Sequence, residues 1–545
     1  MFAKSIVFIK KRQIMGNTKL LADEIITGLR ENLPKLLEPI GNIWSVAISG
    51  SYPRGDFVDN NSDLDINIYV TNYEVKMSQK MNILLFMPEQ TRADCVSAIN
   101  PEGAKTPNME QIGSEGVTFT NCFTQHTVCT PSRCSMFTGL YPHSHAHRTL
   151  TYMLQSHERN LFRELKENGY YVQCFGKNDI LSQESISLGF DSVQFRVKPE
   201  FHDENPWAEG HKHHKSFYYG SRKGTDVKDG DWAITQSALN FLDDKREQPF
   251  CLFLPLSFSH PPYTVEEPYF SMYDRAKMPE PISPKFDDKR RFMRMIHESY
   301  GLDKLDESDF REIKATYYGV ISRVDDQLGL ICDKLKSIGQ YHNTAIFIFS
   351  DHGDYAGDYG LTEKWWTGFQ DCLIHTPFIA RVPGYNSVSN QNTFIEMVDL
   401  FPTILDLAGI EPKHYNFGKS LMPMIKGETN KHRDCVFAEG GHLPDEKHCY
   451  EPLIEGIYYD KVRLPLRDPK VFSKAIMIRN EQYKYIYCPD DMDELYDLKN
   501  DPQELKNIAE DSSMDSIKQE FRDQILHWML NTSDSPPLQW DKRGW

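Results

Sequence analysis

The chain has 545 residues, a formal net charge of −17 and 40% hydrophobic residues, including 31 Phe and 27 Tyr. That length corresponds to about three to four domain-sized units, and we expect one large catalytic domain with smaller pieces attached. The acidic balance excludes a general nucleic-acid binder, although a local cleft can oppose the global sign, and no apolar run reaches membrane-span length.

The opening "MFAKSIVFIKKRQIMGN" has a short apolar patch followed by Lys10-Lys11-Arg12, the reverse of a signal peptide's order. We therefore expect a cytoplasmic protein, and its eleven cysteines, scattered without paired spacing, read mostly as buried thiols. Residues 1–76 differ in character from the rest of the chain. "NTKLLADEIITGLRENL" (17–33) has helical apolar spacing, while "WSVAISG" (44–50) and "LDINIYV" (64–70) read as strands. Between the strands, "GSYPRGDFVDNNSDLD" (50–65) resembles the nucleotidyltransferase signature. That resemblance implies phosphate cradled at Gly50-Ser51 and Mg²⁺ held by Asp63 and Asp65 on one strand face. Such enzymes need a third carboxylate on a later strand, and the chain changes character before one arrives. Residues 1–76 are thus expected to be a partial segment, and Met77 or Met81 would each begin a self-sufficient protein.

From Met81 the pattern is β followed by α. "MNILLFM" (81–87) is a continuous apolar strand, as expected when both sheet faces are covered. "TPNMEQIGSEGVTFTNCF" (106–123) reads as a helix ending at Gly116 and then a strand, and 158–177 repeats helix, glycine, strand. "FCLFLPLSFS" (250–259) and "TAIFIFSDHG" (344–353) are further buried strands, the second after a long amphipathic helix at 314–338. Residues 474–502 alternate like an antiparallel sheet, and a terminal helix follows. The expected fold is α/β: a mainly parallel sheet covered by helices, with a small C-terminal antiparallel subdomain. We expect a partial segment at 1–76, a catalytic α/β domain at 77–430 and a C-terminal subdomain at 431–545.

Functional residues of open α/β sheets gather where strands end. Glu89 and Gln90 follow the first apolar strand, Cys129 the second, Lys177 and Asp179 the third. His260 follows the strand at 250–259; Asp351 and His352 follow the next, with Lys364 a little later. This set of metal ligands and cations suits an anionic tetrahedral substrate held against a metal. Asp351-His352-Gly353 reads as ligands more readily than as a turn, because two ligand types end a fully apolar strand. His260 taken singly is as readily an ordinary loop histidine, and Lys177 and Lys364 taken singly read first as solvated surface lysines. His143, His145 and His147 alternate in "YPHSHAHR" and read as a loop near the site, His145 being a weak candidate.

Cys129 stands out. Pro131 fits the first turn of a helix with Thr130 as its cap, which places the cysteine at the electropositive helix start. Arg133, four residues on, returns to the same face. A thiolate is expected there, as is any oxyanion derived from the side chain.

"CTPSRCSMFTG" (129–139) resembles the sulfatase signature C-x-P-x-R…T-G. Similarity extends over nearly all of 81–510, through "SDHGDYAGDYGLTEK" (350–364), "VDLFPTILDLAGI" (398–410) and "YKYIYCPDDMDELYDLKNDP" (483–502). The resemblance implies an alkaline-phosphatase-like fold and a cysteine oxidised to formylglycine by a maturation enzyme. In that family's mechanism the hydrated aldehyde attacks sulfur with one hydroxyl and releases sulfate with the other. Arg133 would orient the diol, Lys177 and Lys364 would neutralise sulfate oxygens, and His260 would protonate the leaving alcohol or hold the sulfate. Glu89, Gln90, Asp351 and His352 would hold one divalent metal, with Ca²⁺ the first choice and Mn²⁺ or Zn²⁺ the alternatives.

Three departures from the family pattern stand out. Glu89-Gln90 replaces two adjacent aspartates, moving the ion and removing one charge. His352 stands where asparagine is also frequent, and a nitrogen ligand is unusual for Ca²⁺. Asp179 stands where a histidine often contacts the nucleophile. The expected substrate is a small sulfated molecule, a sulfated sugar being one class, with no nucleic-acid or membrane partner. The alternative activity is that of a phosphonate monoester or phosphodiester hydrolase, because "EQTRAD" (89–94) is similar to the opening of those relatives. The other alternative is a nucleotidyltransferase with the remainder as scaffold. Trp365-Trp366 beside Lys364, and the His-, Tyr- and Lys-rich insertion at 201–232, read equally as sugar-binding elements or as ordinary packing.

Overall fold

The computed structural model describes residues 6–8, 45–50 and 64–69 by their backbone, and residues 80–195, 203–224, 227–385, 391–452 and 455–538 in full. The chain divides into two compact units, Met1–Lys80 and Met81–Trp545. In the first, β1 (Ile6–Phe8), β2 (Ser45–Gly50) and β3 (Leu64–Tyr69) form an antiparallel sheet in the order β1-β3-β2. The register sets Gly50 opposite Leu64 and Ser49 opposite Asp65. The helix expected at 17–33, Ser51 and Asp63 lie outside the described residues.

The second unit is built on an eight-stranded sheet. Its early strands are β4 (Asn82–Pro88), β5 (Val117–Phe123), β6 (Tyr171–Phe175) and β7 (Ser192–Gln194). A separate pair, β8 (Tyr218–Ser221) and the later β10 (Tyr263–Val265), brackets β9 (Phe250–Leu256). β11 (Thr344–Phe349), β12 (His375–Arg381) and β13 (Gln391–Glu396) complete the main sheet, whose order is β13-β5-β12-β11-β4-β9-β6-β7. Among its described strands only β12 runs against the others. Every residue of β4, β9 and β11 is buried, as a sheet covered on both faces requires. Alternate side chains feed opposite cores: Ile83, Leu85, Met87, Phe347 and Phe349 one, Leu84, Phe86, Ile346 and Ile348 the other.

The helices that position the site are α1 (Pro107–Ser114), α2 (Cys129–Thr138), α3 (Gly230–Asp243), α4 (Glu307–Ser337), α5 (Leu400–Ala408), α6 (Tyr459–Arg467) and α7 (Asp515–Thr532). α2 and α5 cover one sheet face through Met136, Phe137, Leu400, Phe401 and Ile404. α3 and α4 cover the other through Ile234, Ala238, Val320, Val324, Leu328 and Leu335. α4 starts seven residues before the expected 314 because a capping box between Asp306 and Asp309 nucleates it there. β14 (Val436–Gly440), β15 (Ala475–Arg479), β16 (Tyr483–Tyr487) and β17 (Glu494–Asp497) form the small antiparallel sheet, against which α7 packs Phe521, Ile525 and Trp528. Among the described residues no helix is long and apolar enough to cross a membrane, and the eleven cysteines are free.

Candidate active site

The C-terminal ends of the parallel strands β4, β5, β6, β9 and β11 open on one edge of the sheet, and the residues that follow them meet there. Glu89 and Gln90 follow β4; Asp351 and His352 follow β11; all four are completely buried. The Cys129 Sγ donates to Glu89 Oε1 at 2.8 Å and lies 3.4 Å from His352 Nε2.

All ten residues of α2 are buried, though the helix has few apolar side chains. Three of its four hydroxyls are satisfied: Ser132 Oγ donates to the Asp351 carbonyl at 2.6 Å, Thr130 Oγ1 to the Leu150 carbonyl at 3.1 Å and Thr138 Oγ1 to the Cys134 carbonyl at 2.7 Å, while Ser135 Oγ is buried without a partner. The expected cap is corrected by the backbone. Val128, with extended backbone, is the N-cap, and Thr130 lies inside the first turn. The hydroxyl of Thr130 is drawn to Leu150, so no side chain caps this helix start. Gly139 ends the helix at φ +70°, and a Cβ there would meet Asn416 at 2.9 Å and Phe401 at 3.1 Å, so only glycine fits.

Glu89, Cys129, Asp351 and His352 each offer a ligand atom, all within 4.8 Å of one another. Glu89 Oε2 is buried without a hydrogen-bond partner, an uncompensated acceptor of the kind a cation satisfies. His352 donates from Nδ1 to the Gly353 carbonyl at 2.9 Å, which turns the Nε2 lone pair toward the cluster. Gln90 joins the same group by donating its backbone N–H to Asp351 Oδ1 at 3.0 Å. Carboxylate and imidazole donors therefore converge, with the Gln90 backbone bonded to one of them, a set that fits one divalent ion.

Cations ring these acceptors. Arg133 Nε donates to Asp351 Oδ2 at 2.9 Å, and its Nη2 lies 3.6 Å from Glu89 Oε1. Lys177 Nζ is 2.6 Å from Glu89 Oε1, 2.9 Å from Asp179 Oδ2 and 4.0 Å from Cys129 Sγ. Lys364 Nζ donates to Gln90 Oε1 at 2.8 Å and pairs with Glu363 at 2.6 Å. His260 Nδ1 donates to the Pro261 carbonyl at 2.7 Å, leaving Nε2 3.5 Å from the Tyr458 hydroxyl and 3.9 Å from Glu363. Gln90, Asp179 and Glu363 have φ of +61°, +39° and +67°, strain of the sort concentrated at functional sites.

These charges set the protonation states. Burial pushes the Cys129 thiol well above its ordinary range, and Glu89 adds to the rise. This corrects the thiolate expected at a helix start: buried and with a carboxylate 2.8 Å away, the thiol is not ionised by the helix end. Burial would raise Glu89 too, but the cations Lys177, Arg133 and Lys364 hold it well below the carboxylate range. Burial brings His352 down to about 4, and burial with Lys364 brings His260 down to about 3, so both imidazoles are neutral. His260 is thus an acceptor at Nε2 before substrate enters.

All ten residues expected at the site are brought together at this sheet edge. Trp365 and Trp366 are 0% and 1% exposed. Trp365 stacks on Phe292 and Phe472, so both are core. His143 pairs with Glu439, and His147 with Glu158, holding the loop that follows α2. In the insertion Trp207 stacks on His211, and β8 pairs with β10. Sequence reasoning missed Asp354, Tyr263, Glu363, Tyr458 and Lys461. Asp354 and Glu363 lie inside the quoted stretch at 350–364. Lys461 pairs with Glu363 and donates to the Lys364 carbonyl at 2.7 Å, and no local spacing connects 461 with 364.

The profile of the sulfatase family matches residues 81–410, and that of the N-sulphoglucosamine sulphohydrolase C-terminal region matches 357–530. The chain is 27% identical over 509 residues to the multifunctional alkaline phosphatase superfamily protein PehA of Trinickia caryophylli, covering 84% of this chain and 96% of the relative. It is 26% identical over 461 residues to an arylsulfatase of Clostridium perfringens, covering 74% and 92%. The phosphonate monoester hydrolase structure from Agrobacterium radiobacter shares the fold, with a TM-score of 0.69 at 24% identity over 83% of this chain and 96% of that one.

Proposed function

The chain belongs to the sulfatase family, and we propose on that premise that Cys129, matured to formylglycine, is the centre of a metal-assisted sulfate monoester hydrolase. The observation carrying the proposal is the position of the Cys129 side chain, 2.8 Å from Glu89, 3.4 Å from His352 Nε2 and 4.0 Å from Lys177. A nucleophile there would sit between metal donors and the ammonium groups that compensate a sulfate. Cys129 is 2% exposed, so the maturation enzyme would act before the chain folds around it.

Hydrated formylglycine supplies one hydroxyl to attack sulfur and a second by which sulfate is released. A divalent ion held by Glu89, Gln90, Asp351 and His352 supplies positive charge at the attacked group. Calcium is the first choice on the oxygen donors; His352 admits Mn²⁺ or Zn²⁺. Arg133 would orient the nucleophile through the acids it bridges, and Lys177 and Lys364 would neutralise sulfate oxygens as charge builds on them. As the S–O bond breaks, the leaving oxygen takes a proton. His260, neutral at rest, would receive it from solvent once the bound anion raises its basicity, then pass it on. Asp179 would hold Lys177 in place.

The match of residues 357–530 to a sulphohydrolase of a sulfated sugar supports a carbohydrate sulfate as substrate. The free cysteines support a cytoplasmic location. The stretch "EQTRAD" (89–94), similar to the opening of phosphonate monoester and phosphodiester hydrolases, keeps those esters as the second reading. Side-by-side turnover of aryl sulfate, aryl phosphonate and a phosphodiester decides between them. The sulfate should dominate, and a Cys129→Ala variant should lose that turnover while folding normally. Phosphonate turnover above sulfate turnover would overthrow the assignment.

A further inference from the structure

Gln90 is the one metal donor whose chemistry is ambiguous. Its side chain ends in an acceptor oxygen and a donor nitrogen, and rotation by half a turn exchanges them. Only the oxygen can bind a cation. The rest of the residue has no freedom left. Its backbone N–H donates to Asp351 Oδ1 at 3.0 Å, its carbonyl accepts from the Tyr317 hydroxyl at 2.6 Å, and its φ is +61°.

Two neighbours settle the orientation. Gln90 Nε2 donates to Asp354 Oδ2, and Gln90 Oε1 accepts from Lys364 Nζ at 2.8 Å. A carboxylate accepts only and an ammonium donates only, so the two neighbours favour the same amide orientation. Asp354 cannot turn away, because its Oδ1 accepts from the Tyr263 hydroxyl and from the Ala356 N–H, both at 2.6 Å. Asp354 and Gln90 are both fully buried, so water does not replace either partner.

We propose that Asp354 is the positioning residue that fixes the Gln90 amide, holding its nitrogen on the carboxylate so that the oxygen, and not the nitrogen, is left to act as the ligand atom. The inference rests on the metal site assigned to Glu89, Gln90, Asp351 and His352, and goes beyond it in explaining how an amide works as a ligand where charge has been lost. Lys364 alone would not suffice, since its ammonium is also committed to Glu363 at 2.6 Å. Asparagine at 354 would present either an acceptor or a donor to Gln90, and the amide would lose its imposed sense.

The test is calcium binding by isothermal titration calorimetry on the chelator-stripped full chain, with thermal unfolding in chelator as the control. Asp354→Asn should bind Ca²⁺ about 10–100-fold more weakly than wild type, the usual cost of losing an outer partner of a ligand. Tyr263→Phe, which breaks the bond to the other carboxylate oxygen and leaves Gln90 paired, should bind within about threefold of wild type by the same reasoning. Gln90→Glu carries the test even where Asp354→Asn does not fold. Added charge alone would tighten binding, whereas a glutamate facing the fixed Asp354 carboxylate should weaken it. In the double variant Gln90→Glu/Asp354→Asn the asparagine can donate to the new carboxylate, and affinity should recover about tenfold. Unchanged binding by folded Asp354→Asn, or tighter binding by Gln90→Glu alone, would overturn the inference. Failure of the wild type to bind Ca²⁺, Mn²⁺ or Zn²⁺ would instead bring down the metal assignment itself, and this inference with it.

Discussion

Arg133 is completely buried, yet its guanidinium reaches three groups: Asp351, Glu89 and the Lys177 carbonyl, the last at 3.2 Å. A planar fork can do this and a lysine ammonium cannot. Removing it would leave Asp351 and Glu89 as buried acids with less compensation. Arg133→Ala should therefore cost about 3–5 kcal/mol of stability in chelator, measured by urea unfolding. Calcium should restore part of that loss, because the ion replaces the missing positive charge. A loss below about 1 kcal/mol, the range of an exposed pair, would mean that Arg133 does not balance those acids. Spacing in "CTPSR" put Arg133 on the helical face of Cys129; its ties to Asp351 and Glu89 and the thiol's protonation state stayed hidden, because they depend on residues far away in the chain.

At the scale of elements, α1 has no side-chain cap of its own, since Thr106 makes none. Asp325 of α4 supplies it from across the fold, accepting from the Asn108 N–H at 2.9 Å and the Met109 N–H at 2.8 Å. Asp325→Ala should cost about 2–3 kcal/mol through the unsatisfied amides, while calcium affinity stays unchanged; an affinity loss would show that α1 reaches the site. Strands β4, β9 and β11 were legible because runs buried on both faces are apolar throughout. The start of α2 was misread because a threonine beside a proline has the composition of a cap, and its hydroxyl goes to Leu150 instead. The Trp365-Trp366 pair was ambiguous because aromatic residues serve cores and sugar sites alike; only the packing of Phe292 and Phe472 resolves it.

At the scale of the second unit, the catalytic edge is completed by a segment that no motif or spacing places there. Tyr458 lies beside His260, and Lys461, at the start of α6, clamps Glu363 and the Lys364 carbonyl. The clamp holds the strained Glu363 and so directs the Lys364 ammonium onto Gln90. Lys461→Met should lower kcat for an aryl sulfate by about tenfold or more, as loss of an outer partner does. Lys461→Arg should restore part of it, and calcium affinity should change little. An unaltered kcat in folded Lys461→Met would reduce α6 to packing.

The central claim is that residue 129 works as an aldehyde hydrate and not as a thiol. The tryptic peptide running from Thr106 to Arg133 carries both Cys122 and Cys129, so one fragmentation spectrum reads the reactive position against an internal control. In catalytically active protein made with a maturation enzyme, residue 129 should be lighter than cysteine by about 18 Da while residue 122 keeps its thiol mass. Active protein whose peptide carries two unmodified cysteines would contradict the account.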